Sequence, residues 1–257
     1  MVWLPGGSFE MGSNLGVANE RPAHKAEVAA FYLDRTEVTA EAFARCVWMG
    51  ACIKQDTVAR EGSRNREVDR RDQRFWNPTC TYGKAGKERH PMNCVSWNEA
   101  NAYCLWAGKR LPTETEWEYA ARGKEGRLFP WGNADPSPIR LNACGSECIE
   151  FAKKHGETVQ TGMYAGSDNY EATAPVGSIA GDRTPEGILD LGGNVREWMS
   201  NQYADCYGVS CATKSERAVR GAPWIEHNAV RARAVARHGV SPEARYSGLG
   251  FRCAKTN

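Results

Sequence analysis

The sequence predicts an α+β domain with little regular secondary structure, and three observations carry that prediction. A few segments show the capped, amphipathic pattern of short helices, and several brief stretches show the alternation of strands. Between them Gly and Pro are spread from end to end, with no linker, repeat or low-complexity tract. The 257 residues are 41% hydrophobic and 25% charged, ordinary globular values that allow a full core. Composition does not shift along the chain, so residues 1–257 read as one domain.

The first helix starts after Thr39 as N-cap and is expected to bury Phe43, Val47 and Trp48. The second starts after Ser96, where Ser96 and Glu99 form a capping box, turns Ala100, Tyr103, Cys104 and Ala107 inward, and stops at Gly108. The third repeats the device with Thr113 and Glu116, buries Trp117, Ala120 and Ala121, and ends before Gly123. Lys109-Arg110-Leu111-Pro112 joins the last two as scaffold. Strands are expected at Gly7 to Met11, Phe31 to Val38, Ala218 to Arg220, Arg231 to Arg237 and Gly250 to Ala254. So much irregular backbone is entropically expensive to order, which points to disulfides or bound metal as staples.

The net charge of +2 comes from basic and acidic residues interleaved throughout, and gives no electrostatic footprint for nucleic acid. No apolar run approaches the roughly 18 residues of a membrane span, so no membrane insertion is expected. The Arg-rich stretch Arg64 to Arg74 carries Glu67, Asp69 and Asp72 as well and reads as a solvated face. Ten cysteines are many for a chain of this size. Cys144 with Cys148 and Cys206 with Cys211 could each mimic half a zinc site, but neither is CxxC and no histidine lies at ligand spacing. Disulfides are the better reading, which places the domain in an extracytoplasmic compartment: periplasm, medium or cell surface. No signal peptide precedes Met1-Val2-Trp3-Leu4-Pro5, so a leader or anchor would have been removed or lie outside this sequence.

Several motifs remain. They are Pro5-Gly6-Gly7-Ser8-Phe9-Glu10-Met11-Gly12-Ser13, Glu20-Arg21-Pro22-Ala23-His24, Tyr32-Leu33-Asp34-Arg35-Thr36-Glu37-Val38-Thr39 and His90-Pro91-Met92-Asn93-Cys94-Val95-Ser96-Trp97. The run Gly108-Lys109-Arg110-Leu111-Pro112-Thr113-Glu114-Thr115-Glu116-Trp117-Glu118-Tyr119-Ala120-Ala121-Arg122-Gly123 follows, then Pro130-Trp131-Gly132, Gly193-Asn194-Val195-Arg196-Glu197-Trp198 and Gly250-Phe251-Arg252-Cys253. In this order they resemble the formylglycine-generating enzyme family, the sulfatase-modifying factor domain, over nearly the whole chain. The resemblance implies a complex C-type-lectin-like fold.

In the catalytic members of that family, a cysteine pair shortly after an Arg-Gly-Gly-Ser-aromatic segment binds copper and activates oxygen. Here the run is Arg220-Gly221-Ala222-Pro223-Trp224-Ile225-Glu226-His227-Asn228-Ala229-Val230-Arg231. Glu226 stands where the first cysteine would be, and no cysteine lies between Cys211 and Cys253 to supply the second. Thiolates are the soft ligands that suit Cu(I), and Glu and His do not replace them. No copper is expected. The five histidines, His24, His90, His155, His227 and His238, form no HxH, HExxH or facial-triad spacing.

The expected function is therefore a non-catalytic binding domain. Its surface would lie in the C-terminal region, at Trp224, Ile225, Glu226, His227, Asn228, Val230, His238, Val240 and Tyr246, with a protein, peptide or glycan as ligand. The region also resembles that of retroelement-diversified variable proteins on the same fold. The alternatives are an enzyme of the family with other oxidative chemistry, or a structural partner subunit. The resemblance further implies a disulfide between Cys104 and Cys253, with Cys46, Cys52, Cys80 and Cys94 supplying two more in an order the sequence leaves open. It implies two structural Ca2+ sites. The first would use the side chains of Asn142 and Asp168 with the carbonyls of Ala143 and Tyr170. The second would use the side chains of Asp190 and Glu197 with the carbonyls of Gly193 and Val195, unless Asp190 and Glu197 only cap turns or pair with Arg196.

Overall fold

The computed structural model describes residues 1–54 and 77–257. The Arg-rich stretch from Arg64 to Arg74 lies outside them. Nine strands and four α-helices are present among the described residues: β1 Val2–Leu4, β2 Gly7–Met11, β3 His24–Val28, β4 Phe31–Leu33, α1 Ala40–Trp48, α2 Trp97–Trp106, α3 Glu114–Arg122, α4 Ser146–Lys154, β5 Arg196–Ala204, β6 Thr213–Arg220, β7 Arg237–Val240, β8 Leu249–Gly250 and β9 Ala254–Thr256. They form three small sheets, ordered β1-β4-β9, β2-β3 and β7-β6-β5-β8. All pairings are antiparallel except β5 with β8. The mixed α+β class is as the sequence predicts.

Local chemistry sets the helix ends. Thr39 Oγ1 accepts from Ala42 N at 3.2 Å, and Ser96 with Glu99 and Thr113 with Glu116 form the two reciprocal capping boxes. Gly108 and Gly123 take positive φ of 68° and 63° just beyond α2 and α3, the left-handed conformation that a side chain disfavours. On α1, Phe43 and Cys46 are buried, but Trp48 is 83% exposed, contrary to expectation. It lies five residues beyond Phe43, about 140° further round the helix, and so leaves the buried stripe.

The strand expectations fail in instructive places. Phe31 to Val38 stops at Leu33, where Asp34 turns its carboxylate onto Lys109 Nζ and Cys253 N. Gly250 to Ala254 divides into the end of β8 and the start of β9, because Arg252 between them sends its side chain into the core. Residues 231–237 alternate Arg with small apolar residues yet form a 3-10 turn over Ala229–Ala232, and β7 begins only at Arg237. Asn228 caps that turn by accepting from Val230 N at 3.0 Å. The arginines serve separate acidic partners instead: Arg233 pairs with Glu20 and Arg237 with Glu114.

Two large apolar clusters fill the interior. One gathers Phe9, Phe31, Leu33, Trp117 and Met199 behind β1, β2 and α3. The other packs Phe43, Tyr103, Trp198, Leu249 and Phe251 between α1, α2 and β5. Trp117 and Trp198 are core residues, as expected. All ten cysteines pair, as Cys46–Cys52, Cys80–Cys94, Cys104–Cys253, Cys144–Cys148 and Cys206–Cys211. Cys104–Cys253 ties α2 to the residue before β9 across a sequence separation of 149. No helix among the described residues is long and apolar enough to cross a membrane.

Candidate functional site

After β6, Gly221 turns the chain with φ 81°, where a Cβ would meet Leu191 O at 3.2 Å. Trp224 then anchors the loop. Its N donates to Asn194 O at 2.8 Å and its ring meets Phe151 edge-on at 5.8 Å. Trp224 is thus 1% exposed and belongs to the core, so it drops out of the expected ligand surface. The next residues line a cavity of about 450 Å3. Pro223, Ile225, Glu226, His227 and Arg231 come from this loop, Arg196 from the start of β5, and Gly239 and Val240 from β7. Val159, Ala244 and Tyr246 close it. Glu226 O also accepts from Cys144 N at 3.1 Å, so the short disulfide loop that leads into the first turn of α4 braces this wall.

Of the residues expected on the surface, Ile225, Glu226, His227, Val240 and Tyr246 come together here. Asn228 is occupied as the cap of the 3-10 turn and Val230 sits within that turn; neither lines the cavity. His238 stands on β7 beside Gly239 with a buried Nε2 that has no hydrogen-bond partner. Burial, and then the charges of Arg196, Arg231, Arg220 and Arg237, push its pKa down to about 3. Arg196 and Val159 were not legible as site residues, because they approach from elements distant in sequence.

Glu226 is 4% exposed. Its Oε2 accepts from Arg196 Nη2 at 3.0 Å and lies 3.8 Å from Arg231 Nη1, while Oε1 accepts from Asn228 N at 3.2 Å. A buried carboxylate held by two guanidinium groups therefore occupies the position where the resemblance would require a thiolate. Arg196 is committed to Glu226, whereas Glu197 pairs with Arg252. Arg252 reaches both Glu197 oxygens at 2.8 to 2.9 Å. Trp117 Nε1 adds a fourth contact at 2.9 Å.

The residues expected to hold calcium fall in two buried places. At the first, Asn142 Nδ2 donates to Ala172 O at 3.1 Å and leaves Oδ1 buried without a partner. Asp168 accepts from Ala143 N, Tyr164 Oη and Tyr170 N, and burial raises its pKa to about 6. Glu147 Oε1 is also buried and unpartnered. An orphaned amide oxygen beside carboxylates suits a hard cation. At the second, Asp190 (φ 59°) accepts from Gly177 N, and Asp182 accepts from Gly192 and Gly193 N. Glu37, which the sequence did not single out as a ligand, is 2% exposed, and neither of its oxygens receives a hydrogen bond from a donor group. Burial first, then the charge of Asp190, holds the Glu37 carboxyl well above its usual range. Four buried carboxylates, Glu37, Asp182, Asp190 and Glu197, thus lie in the field of Arg252, and the two unpartnered Glu37 oxygens suit a bound cation. Among the described residues, the only three His, Cys, Asp or Glu side chains whose ligand atoms already lie within 4.8 Å of one another are Asp205, Cys206 and Cys211. Its cysteines are disulfide-bonded and offer no thiolate.

Calcium added back to chelated protein is expected to raise Tm, since binding to the folded state contributes about 2.7 kcal/mol at a hundredfold excess over Kd. Asn142→Ala and Glu37→Gln should each shrink the response. No upward shift at millimolar calcium would exclude both sites.

The sulfatase-modifying factor enzyme 1-like domain matches residues 1–257. The chain is 34% identical to the inactive C-alpha-formylglycine-generating enzyme 2 of Bos taurus, over 99% of this chain and 87% of that protein. It is 31% identical to the formylglycine-generating enzyme of Mus musculus, over 99% and 74% respectively. Among solved structures, PvdO from Pseudomonas aeruginosa superposes with TM-score 0.69 at 26% identity, covering 99% of this chain and 93% of the other.

Proposed function

The chain belongs to the sulfatase-modifying factor enzyme 1-like family and has its C-type-lectin-like fold, and from that premise we propose that it is a non-catalytic recognition domain whose ligand seats in the cavity around Glu226. One observation carries this reading: the family's copper-binding thiolate position holds Glu226 in an ion pair with Arg196, and every cysteine is consumed by a disulfide. The cavity itself survives, with a mixture of apolar, aromatic and charged walls of the kind that fixes a ligand's orientation. Function on a shared scaffold is argued from such a site and not from the fold. The likeness to an inactive relative over almost the whole chain supports the reading. Five disulfides support an extracytoplasmic location; two structural calcium ions complete the proposal, supported by the unpartnered Asn142 Oδ1 and Glu37 oxygens.

With copper and a cysteine-containing sulfatase peptide, oxygen consumption is expected to match a no-enzyme control, and formylglycine to stay at background by mass spectrometry. Formylglycine above background would overturn the reading. A glycan and peptide array on the purified protein is expected to return ligands whose binding is lost when Tyr246 is changed to Ala.

A further inference from the structure

We propose that the cavity between Arg196 and Arg231 takes an apolar ligand through a carboxylate group. The inference rests on the recognition reading above and names the ligand class that the site selects. Two guanidinium groups and one carboxylate, Arg196, Arg231 and Glu226, lie in the wall, leaving one positive charge unmatched. Beside them burial first, and then the arginines of β5, β6, β7 and the loop after β6, hold His238 uncharged. Arg196 is committed to Glu226 and contributes its charge to the wall. Arg231 is 54% exposed in its side chain and sits 3.8 Å from Glu226, close enough to swing to an incoming group.

Guanidinium groups match planar carboxylates in shape, and Glu226 already demonstrates that match within the wall. A single excess charge balances a monoanion better than a dianionic phosphate. Apart from His227 the remaining wall is apolar, with Val159, Ile225, Val240 and Tyr246 presenting aliphatic and aromatic surface. A volume of about 450 Å3 accommodates one large side chain and its carboxylate. The chemistry is shared by the C-terminal residue of a peptide and by a free carboxylic acid of the same shape.

Calorimetric titration of the intact chain with three probes tests this: acetyl-Gly-Gly-Phe with a free C-terminus, its C-terminal amide, and 3-phenylpropionate. The acid peptide is expected to bind at least about fivefold more tightly than the amide, the difference expected of one charge-assisted contact at a half-exposed site. Binding of 3-phenylpropionate with equal strength would assign the free acid as source, and its failure beside a binding peptide would assign the chain end. Arg231→Gln should weaken the acid about fivefold, and Glu226→Gln, which removes the competing carboxylate, should tighten it by a similar factor. Opposite signs distinguish charge recognition from a general loss of folding. Equal binding of acid and amide, or substitutions that leave the acid unchanged or shift it in one direction, would overturn the inference. If none of the three probes binds while an array returns other ligands, the carboxylate inference fails and the recognition reading stands. If the array is empty as well, both fail.

Discussion

Replacing Arg252 with Met is expected to destabilise the protein by about 3 to 5 kcal/mol at pH 7.5, because it leaves a buried carboxylate without its partner. Arg252 is fully buried and connects four segments. Besides Glu197 it donates to Asp34 O at 3.0 Å, Leu189 O at 2.8 Å and Asp190 O at 3.2 Å. Without it, Glu37, Asp182, Asp190 and Glu197 would lose the guanidinium charge that offsets them. The pH dependence has a definite sign. Glu37, Asp182 and Asp190 already bind protons more tightly in the fold than unfolded carboxylates do, Asp190 at about 6. Such groups weaken the fold at neutral pH, and the penalty fades as pH falls through the folded pKa. The Arg252→Met deficit should therefore be larger at pH 7.5 than at pH 5 in urea titrations. Adding Glu197→Met should recover much of the loss, since an apolar pair of similar volume carries no desolvated charge. A deficit that does not shrink in acid, or a double variant no better than the single, would refute this account.

Removing the Cys104–Cys253 bridge by changing both residues to Ala is expected to cost about 5 kcal/mol in the chain-entropy model, against about 2 kcal/mol for the same change at Cys206 and Cys211. The contrast follows from sequence separations of 149 and 5. Cys104 and Cys253 also pack in the cluster around Phe43 and Phe251, so the loss of sulfur atoms adds a packing penalty in the same direction. Parallel urea titrations of the two double variants measure the difference. Equal losses would show that the long loop contributes no more than the short one.

Three of the four helices among the described residues were legible because their signals are local, whereas α4 was not read, since its N-cap Gly145 offers no side-chain cap. Ser96 with Glu99 and Thr113 with Glu116 write the start of a helix within four residues, and Gly108 and Gly123 write the end. The longest strand, β5, was not read, because its meaning is non-local. Trp198 and Met199 are adjacent and both buried, so the alternation that marks a strand is absent. Bulges on either side of Gln202 break the register further. In the opposite sense, Arg231 and Arg233 alternate with alanines as in a strand, but Arg233 and Arg237 answer to Glu20 and Glu114, residues more than a hundred positions away. The cavity was half legible. Its loop from Ile225 onward was visible as a segment mixing polar and apolar residues, whereas Arg196, which fixes Glu226, could be assigned to that place only once β5 and the loop after β6 were set side by side.

The outer sheet gives the molecule a mechanical character. β1 and β9 both pair antiparallel with β4, with Val2 and Ala254 opposite Leu33, and Leu4 and Thr256 opposite Phe31. They therefore run parallel to each other on either side of one strand. A load drawn outward through the two chain ends pulls them in shear, so the rungs of both ladders resist together instead of opening one by one. Should β9 give way, tension meets Cys253 at once and passes across its sulfur bridge into α2. The stretch between Cys104 and Cys253, with β5, the cavity and the carboxylates of Asp182, Asp190 and Glu197 inside it, stays slack while that covalent bypass holds.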